Sequence, residues 1–235
     1  MQAVIIVAGG IGSRMNTELP KQLIEINNKP VIVYSIERFL AFNKDIQVII
    51  SLHKDYFDLF EKIKAKYNLV NIEVVEGGET RFQSVKNALA VLKKEVSVVG
   101  IHDAARPLVC LQTIQNAFEG AEQHGAAVPV IAMNETVRKI RGNKSRTVDR
   151  NKFKIVQTPQ CFKKDVLIEA YQQAYNPFFT DDASVVEKAK HTITLTEGNK
   201  ENIKITFPQD LIIAQMLLQH SAKQKETKKD IETKS

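Results

Sequence analysis

The sequence predicts a doubly wound α/β fold on a mostly parallel sheet, and three observations carry that reading. Short runs rich in Val and Ile recur along the 235 residues, longer amphipathic stretches separate them, and a glycine loop directly follows the first run. Unbroken apolar runs suit strands buried on both faces, and alternation with helices returns each strand parallel to the last. Sheets of this kind place ligands outside the carboxyl ends of their strands. At this length one sizeable core is expected, as a single domain over residues 1–220.

The first strand is Ala3–Ala8. Gly9 and Gly10 end it, no basic flank precedes it and no cleavage-like site follows, which argues against a signal peptide or a membrane span. The loop then reads Ala8-Gly9-Gly10-Ile11-Gly12-Ser13-Arg14-Met15. Glycines at this point let backbone N–H groups approach phosphate oxygens, and Arg14 adds a forked cation. The loop fails as a dinucleotide fingerprint: Met15 holds the third glycine position, and the second strand, Gln47–Leu52, ends without a ribose-binding acid. No Gly-Lys-Ser/Thr follows at phosphate-loop spacing either. Next comes Leu19-Pro20-Lys21-Gln22. Pro20 stiffens the approach to Lys21, and two cations beside one glycine loop suit a triphosphate under attack at its α-phosphorus.

Tyr56, Phe57, Phe60, Ile63 and Tyr67 recur at helical spacing and form a core face, as do Phe82, Val85, Leu89 and Leu92. Ile72–Val75, Val96–His102 and Ala126–Ile131 are the remaining strands. Asp103 and Arg106 follow a strand's carboxyl end, where Asp103 orients acceptor hydroxyls, sits near a metal or caps a turn. His102 reads as a packed strand-end histidine. Residues 136–157 break the rhythm. They are polar, basic and turn-like around Gly142-Asn143-Lys144, which predicts a hairpin arm projecting from the sheet. With little to bury, the arm either reaches a partner subunit or stands as a solvated loop. Residues 221–235 hold almost no apolar side chains and predict a disordered, charged tail.

The formal net charge is +6, with five lysines against three acids from Ser221 onward. Neither an aromatic-rich basic strand nor a Cys/His module accompanies it, so nucleic acid is not an expected partner. A basic pocket for a polyphosphate accounts for the surplus. Cys110 and Cys161 lack a CxxC partner or a His pair and read as inert thiols of a reduced, cytoplasmic protein.

The glycine loop with Pro20-Lys21-Gln22 resembles the nucleotidyltransferases that activate sugar phosphates. Gly77-Gly78-Glu79-Thr80-Arg81-Phe82-Gln83-Ser84-Val85, His102-Asp103-Ala104-Ala105-Arg106-Pro107, Val148-Asp149-Arg150-Asn151, Gln157-Thr158-Pro159-Gln160, Thr180-Asp181-Asp182-Ala183-Ser184 and Asn202-Ile203-Lys204-Ile205-Thr206 follow in order. Together, from Val4 to about Leu217, they resemble the 2-C-methyl-D-erythritol 4-phosphate cytidylyltransferases of the non-mevalonate isoprenoid pathway. The resemblance implies a Rossmann-like fold of the nucleotide-diphospho-sugar transferase type. It implies transfer of CMP from CTP to 2-C-methyl-D-erythritol 4-phosphate, with release of pyrophosphate. Mg²⁺ would be bound mainly through the CTP phosphates; protein ligands for it stay open.

By the same resemblance Ala8, Gly9, Gly10, Gly12, Ser13, Gly78 and Ser84 surround CTP, the segment around Ser84 reading cytosine. Asp103, Arg106, Thr136, Thr158 and Thr180 surround the acceptor. Arg14 and Lys21 act on the triphosphate, and Arg150 and Lys204 on the acceptor phosphate. The arm crosses into a neighbouring subunit of a homodimer, where its Arg150 reaches the neighbour's acceptor. Thr158 and Thr180 serve equally as turn hydroxyls, and Arg81 as a loop brace. The chemistry agrees, because a phosphate monoester nucleophile is already ionised and needs no general base.

One departure is Glu135-Thr136, where the family commonly has Asp-Thr; the longer Glu135 is a doubtful ligand. Ribitol-5-phosphate cytidylyltransferases form the nearest alternative, sharing the loop, Thr-Pro-Gln and Asn-Ile-Lys but usually carrying Val where Ala105 stands. A nicotinamide-dependent oxidoreductase is the reading from another class.

Overall fold

A computed structural model describes the chain over residues 1–10 and 19–232. Strand β1 (Gln2–Ala8) is central, and Ala3, Val4, Ile5 and Ile6 have no exposed surface. Two short strands, β2 (Glu25–Ile26) and β3 (Lys29–Pro30), close a tight turn in which Asn27 and Asn28 both take positive φ. Helix α1 (Val31–Phe42), strand β4 (Gln47–Leu52), helix α2 (Phe57–Lys66) and strand β5 (Ile72–Glu76) follow. Helix α3 (Arg81–Leu89), strand β6 (Val98–Asp103), helix α4 (Leu111–His124) and strand β7 (Ala126–Ala132) continue the alternation.

Beyond β7 the rhythm changes. Strands β8 (Val137–Arg141) and β9 (Lys144–Val148) form an exposed hairpin, pairing with each other and with no other strand among the described residues. Gly142 turns the corner at φ 57°, a conformation glycine adopts without strain. Strands β10 (Lys154–Val156) and β11 (Gln160–Lys163) lead into helices α5 (Lys164–Ala170) and α6 (Asp182–Lys188). Strand β12 (Thr194–Glu197) and helix α7 (Pro208–Glu232) end the chain.

The sheet runs β5-β4-β1-β6-β11-β7, with β10 and β12 also paired to β7. Neighbours β5, β4, β1 and β6 are parallel, and so are β7 and β12; β10 and β11 run antiparallel to their neighbours. The chain moves outward from β1 through β4 to β5, then returns to place β6 on the other side of β1. That reversal between β1 and β6 is the crevice where doubly wound sheets bind ligands. One apolar core, including Phe39, Phe60 and Phe118, fills one face, and a second, including Phe82, Val85 and Phe162, fills the other. A third cluster joins Ile26, Val31, Ala105, Leu108, Ile205 and Ala214, fixing the chain around residue 205 against the loop after β6.

The expected mostly parallel fold is thus present. Its fourth strand begins at Val98 and not at Val96. Helix α7 continues past residue 221 to Glu232. Lys, Gln and Glu are good helix formers, and no Gly or Pro interrupts that stretch. Few apolar side chains argued against burial, which is a different property from helix formation. No helix among the described residues is long and apolar enough to cross a membrane.

Candidate active site

A cavity of about 360 Å³ opens at the β1–β6 reversal. Val7, Ala8, Gly9 and Gly10 form one wall, and Asp103, Ala104 and Ala105 form the next. Lys21 reaches the cavity from a single 3₁₀ turn, Lys21–Leu23. That turn is tied down by the adjacent Gln22, whose buried amide donates to the carbonyls of Ala8 at 2.5 Å and Gly10 at 3.2 Å. The sequence alone assigns Gln22 no role.

The third wall comes from the start of α3. A Cβ on Gly77 would stand 3.5 Å from the Gly9 Cα, and one on Gly78 only 2.2 Å from the Gln83 side chain. The first distance is an ordinary contact; the second is too short for any Cβ, so Gly78 is required where the chain turns onto the start of α3. Ser84 fills the seam: its hydroxyl accepts from the Gly78 N–H at 3.1 Å and donates to the Thr80 carbonyl at 2.9 Å. Thr80 caps α3 by accepting from the Gln83 N–H at 3.1 Å. Thr80 and Glu79 both line the cavity, and neither was singled out from sequence.

Asp103 lies where these walls meet. Lys204 Nζ stands 2.9 Å from Oδ2, Arg106 Nε 3.5 Å from the same oxygen and Arg81 Nε 3.6 Å from Oδ1. Burial alone would raise this carboxyl, but Arg81, Lys204 and Arg106 outweigh it and hold it well below the usual carboxylate range. Lys204 owes its place to a buried scaffold. Asn202 donates to the Thr158 carbonyl at 2.9 Å, and the Ile205 N–H donates to the Ala105 carbonyl at 2.9 Å.

Behind Asp103 runs a closed chain of hydrogen bonds. The Asp103 N–H donates to Thr158 Oγ1, the Thr158 hydroxyl to His102 Nδ1, and His102 Nε2–H to the Arg106 carbonyl, each at 3.1 Å. The carbonyl can only accept, which fixes this tautomer. Burial pulls His102 down to about 4, so the ring is neutral at physiological pH and structural, as the sequence suggested. The unfolded chain takes up a proton at His102 below about pH 6.5. The folded ring refuses it until about pH 4, so stability falls as pH drops through that window. Melting temperatures from pH 7.5 to 4.5 should fall less steeply for His102→Gln than for the parent, and equal slopes would exclude this contribution.

The structure therefore brings together Ala8, Gly9, Gly10, Lys21, Gly78, Ser84, Asp103 and Lys204. Gly12, Ser13 and Arg14 lie outside the described residues. Thr158 stands behind Asp103 and not on the described wall, because its hydroxyl is spent in the buried chain. Arg106 likewise turns inward, donating to the Asn202 carbonyl at 2.8 Å. Thr136, Thr180 and Arg150 are exposed and do not line this cavity; the Arg150 guanidinium donates to the Asn134 carbonyl.

Comparison with known proteins follows the same lines. The family model for 2-C-methyl-D-erythritol 4-phosphate cytidylyltransferase matches residues 2–220. A cytidylyltransferase of that name from Bacteroides thetaiotaomicron is 46% identical over 218 residues, covering 92% of this chain and 99% of the relative. One from Clostridium botulinum is 37% identical over 223 residues, covering 92% and 97%. Among solved structures, the 4-diphosphocytidyl-2C-methyl-D-erythritol synthase of Anaerococcus prevotii superposes with a TM-score of 0.80 at 26% identity, covering 93% of this chain and 98% of that one. The Francisella tularensis cytidylyltransferase gives 0.73 at 32% identity, covering 91% and 97%.

Proposed function

The chain belongs to the 2-C-methyl-D-erythritol 4-phosphate cytidylyltransferase family, and from that premise we propose how its cavity works. The enzyme transfers CMP from CTP to 2-C-methyl-D-erythritol 4-phosphate, giving 4-diphosphocytidyl-2-C-methyl-D-erythritol and pyrophosphate. The observation that carries the mechanism is a cavity at the sheet reversal lined by Lys21, Arg81 and Lys204, with Asp103 already paired to cations. Such a site favours polyanions.

In this reading the glycine wall and the start of α3 hold cytidine, with Ser84 and the Gly78 backbone facing the base edge. Lys21, with Arg14, lies along the triphosphate. Lys204 meets the acceptor phosphate, whose oxygen attacks the α-phosphorus while the bond to pyrophosphate breaks. The work is juxtaposition of two anions and stabilisation of the charge that develops between them. The buried, neutral His102 has no part in proton transfer.

Asp103 and Glu79 are the carboxylates on the described wall, and Asp103 is committed to Lys204, Arg81 and Arg106. That donor set suits a divalent ion arriving on the nucleotide's own oxygens and not one held in a protein cage. When bound in this way, Mg²⁺ would supply positive charge to the phosphates. The free thiols Cys110 and Cys161 suit a cytoplasmic enzyme.

The arm supports a homodimer. Lys139 lies directly opposite Arg146, and Arg141 opposite Lys144, so four cations crowd one face of an exposed ribbon. Like charges facing across strands destabilise a free ribbon, whereas a partner's anionic surface relieves them. Arg150, at the base of this arm, would then serve the neighbour's acceptor.

Purified protein should release pyrophosphate from CTP with 2-C-methyl-D-erythritol 4-phosphate in the presence of Mg²⁺. Preference for ribitol 5-phosphate by more than tenfold in kcat/KM would favour the polyol relative instead. ATP should be a poor donor, since a wall shaped for a pyrimidine would clash with a second ring. Comparable rates with both nucleotides would contradict the base assignment.

A further inference from the structure

Two neighbouring acids at the start of α6 have different fates. Asp181 caps the helix, accepting from the Ser184 N–H at 2.9 Å. Asp182 has no exposed surface and still carries a carboxylate. It accepts from Arg81 Nη1 at 2.7 Å, Arg81 Nη2 at 2.6 Å and the Tyr171 hydroxyl at 2.6 Å. Buried ion pairs are weak sources of net stability compared with apolar packing. Apolar packing is already present beside it, where Phe82 stacks on Tyr171 with ring centroids 4.7 Å apart.

What the pair does fix is direction. With both terminal nitrogens taken by Asp182, Arg81 turns only its Nε edge toward Asp103, at 3.6 Å. The other Asp103 oxygen takes Lys204 at 2.9 Å, with Arg106 Nε farther off at 3.5 Å. Arg81 and Lys204 both line the cavity. An Arg81 released from behind has Asp103 as its nearest remaining carboxylate, and a guanidinium fork takes a carboxylate more strongly than a single ammonium does.

The geometry points to Asp182, supported by Tyr171, as a positioning residue for the transfer: it restrains Arg81 so that Asp103 stays with Lys204. Its reach is long in sequence and short in space, from α6 through the first residue of α3 to the end of β6. The inference rests on the proposed role of Lys204 at the acceptor phosphate.

The test is Asp182→Asn, Arg81→Gln/Asp182→Asn and the milder Tyr171→Phe, each confirmed folded by its melting curve. Two readouts separate this inference from the reaction reading. The first needs no substrate: the rate at which an amine-reactive ester labels Lys204, followed by peptide mass spectrometry. In Asp182→Asn the freed Arg81 displaces Lys204, and labelling should rise severalfold. In the double variant no guanidinium competes, so labelling should return to the parent's rate. The second readout is steady-state kinetics, where Asp182→Asn should lower kcat/KM for the acceptor about tenfold or more through a misplaced cation. The double variant should recover most of that loss. Tyr171→Phe should move both readouts in the same direction by less. Unchanged Lys204 labelling in folded Asp182→Asn, and in Tyr171→Phe, would reduce Asp182 to a staple between helices and overturn the inference. Changed labelling with no turnover in the parent would instead fault the assigned reaction.

Discussion

Lys21→Ala is expected to lower kcat by roughly 10²–10³, the usual cost of removing one preorganised charge from a site where charge develops. The expectation follows from how Lys21 is held. It stands on a one-turn 3₁₀ helix whose next residue, Gln22, is pinned to the carbonyls of Ala8 and Gly10. The turn that carries it is therefore fixed against the glycine wall before CTP binds. The loss should fall on kcat more than on acceptor KM, because the leaving pyrophosphate gains charge only as its bond to the α-phosphorus breaks. Melting temperature should change little, since Lys21 is only half-buried. A Lys21→Ala protein with near-normal kcat would remove Lys21 from the chemistry.

The contrast between Lys21 and Asp182 marks how far sequence alone reaches. Lys21 was legible because its whole context is local: a β-branched strand, a glycine break and a proline before the cation. The strands β1, β4, β5, β6 and β7 were legible for the same reason, as short runs rich in Val, Ile and Ala. Strands β10 and β11 were not. They hold three and four residues, too few to show a period, and the Thr158-Pro159 segment separates them.

The Thr-Pro-Gln and Thr-Asp-Asp-Ala-Ser motifs were seen but could not be apportioned between substrate and scaffold. Thr158 supports Asp103 from 55 positions away, and Asp182 meets Arg81 from 101. A side chain whose partner lies that far along the chain looks like a turn or cap residue until the fold is known. Gln160 is similar: it bonds Asp181 at 2.8 Å and the Ala183 N–H at 2.8 Å, joining β11 to the start of α6.

Mixing two inactive variants should restore activity if the arm completes a neighbour's site. Arg150 stands in an exposed turn after the hairpin, outside the cavity that holds Lys21 and Lys204 of its own chain. In a dimer that exchanges arms, each site takes Lys21 from one chain and Arg150 from the other. Lys21→Ala and Arg150→Ala homodimers then carry a defect in every site. A mixed dimer collects both defects in one site and leaves the other intact. Random exchange of equal amounts makes about half the dimers mixed, with one good site of two, so roughly a quarter of the parent's activity should return. Differently tagged chains verify that exchange has occurred. If Arg150 instead serves its own chain, every site in the mixture keeps one defect and activity stays at the level of the separate variants. Raising the salt during exchange adds a second check. If the four cations on one face of the arm meet an anionic counterpart on a partner, high salt should weaken the dimer and lower the recovered activity in step. Full recovery at every salt concentration would mean that apolar contacts, and not the charged face, hold the arm in place.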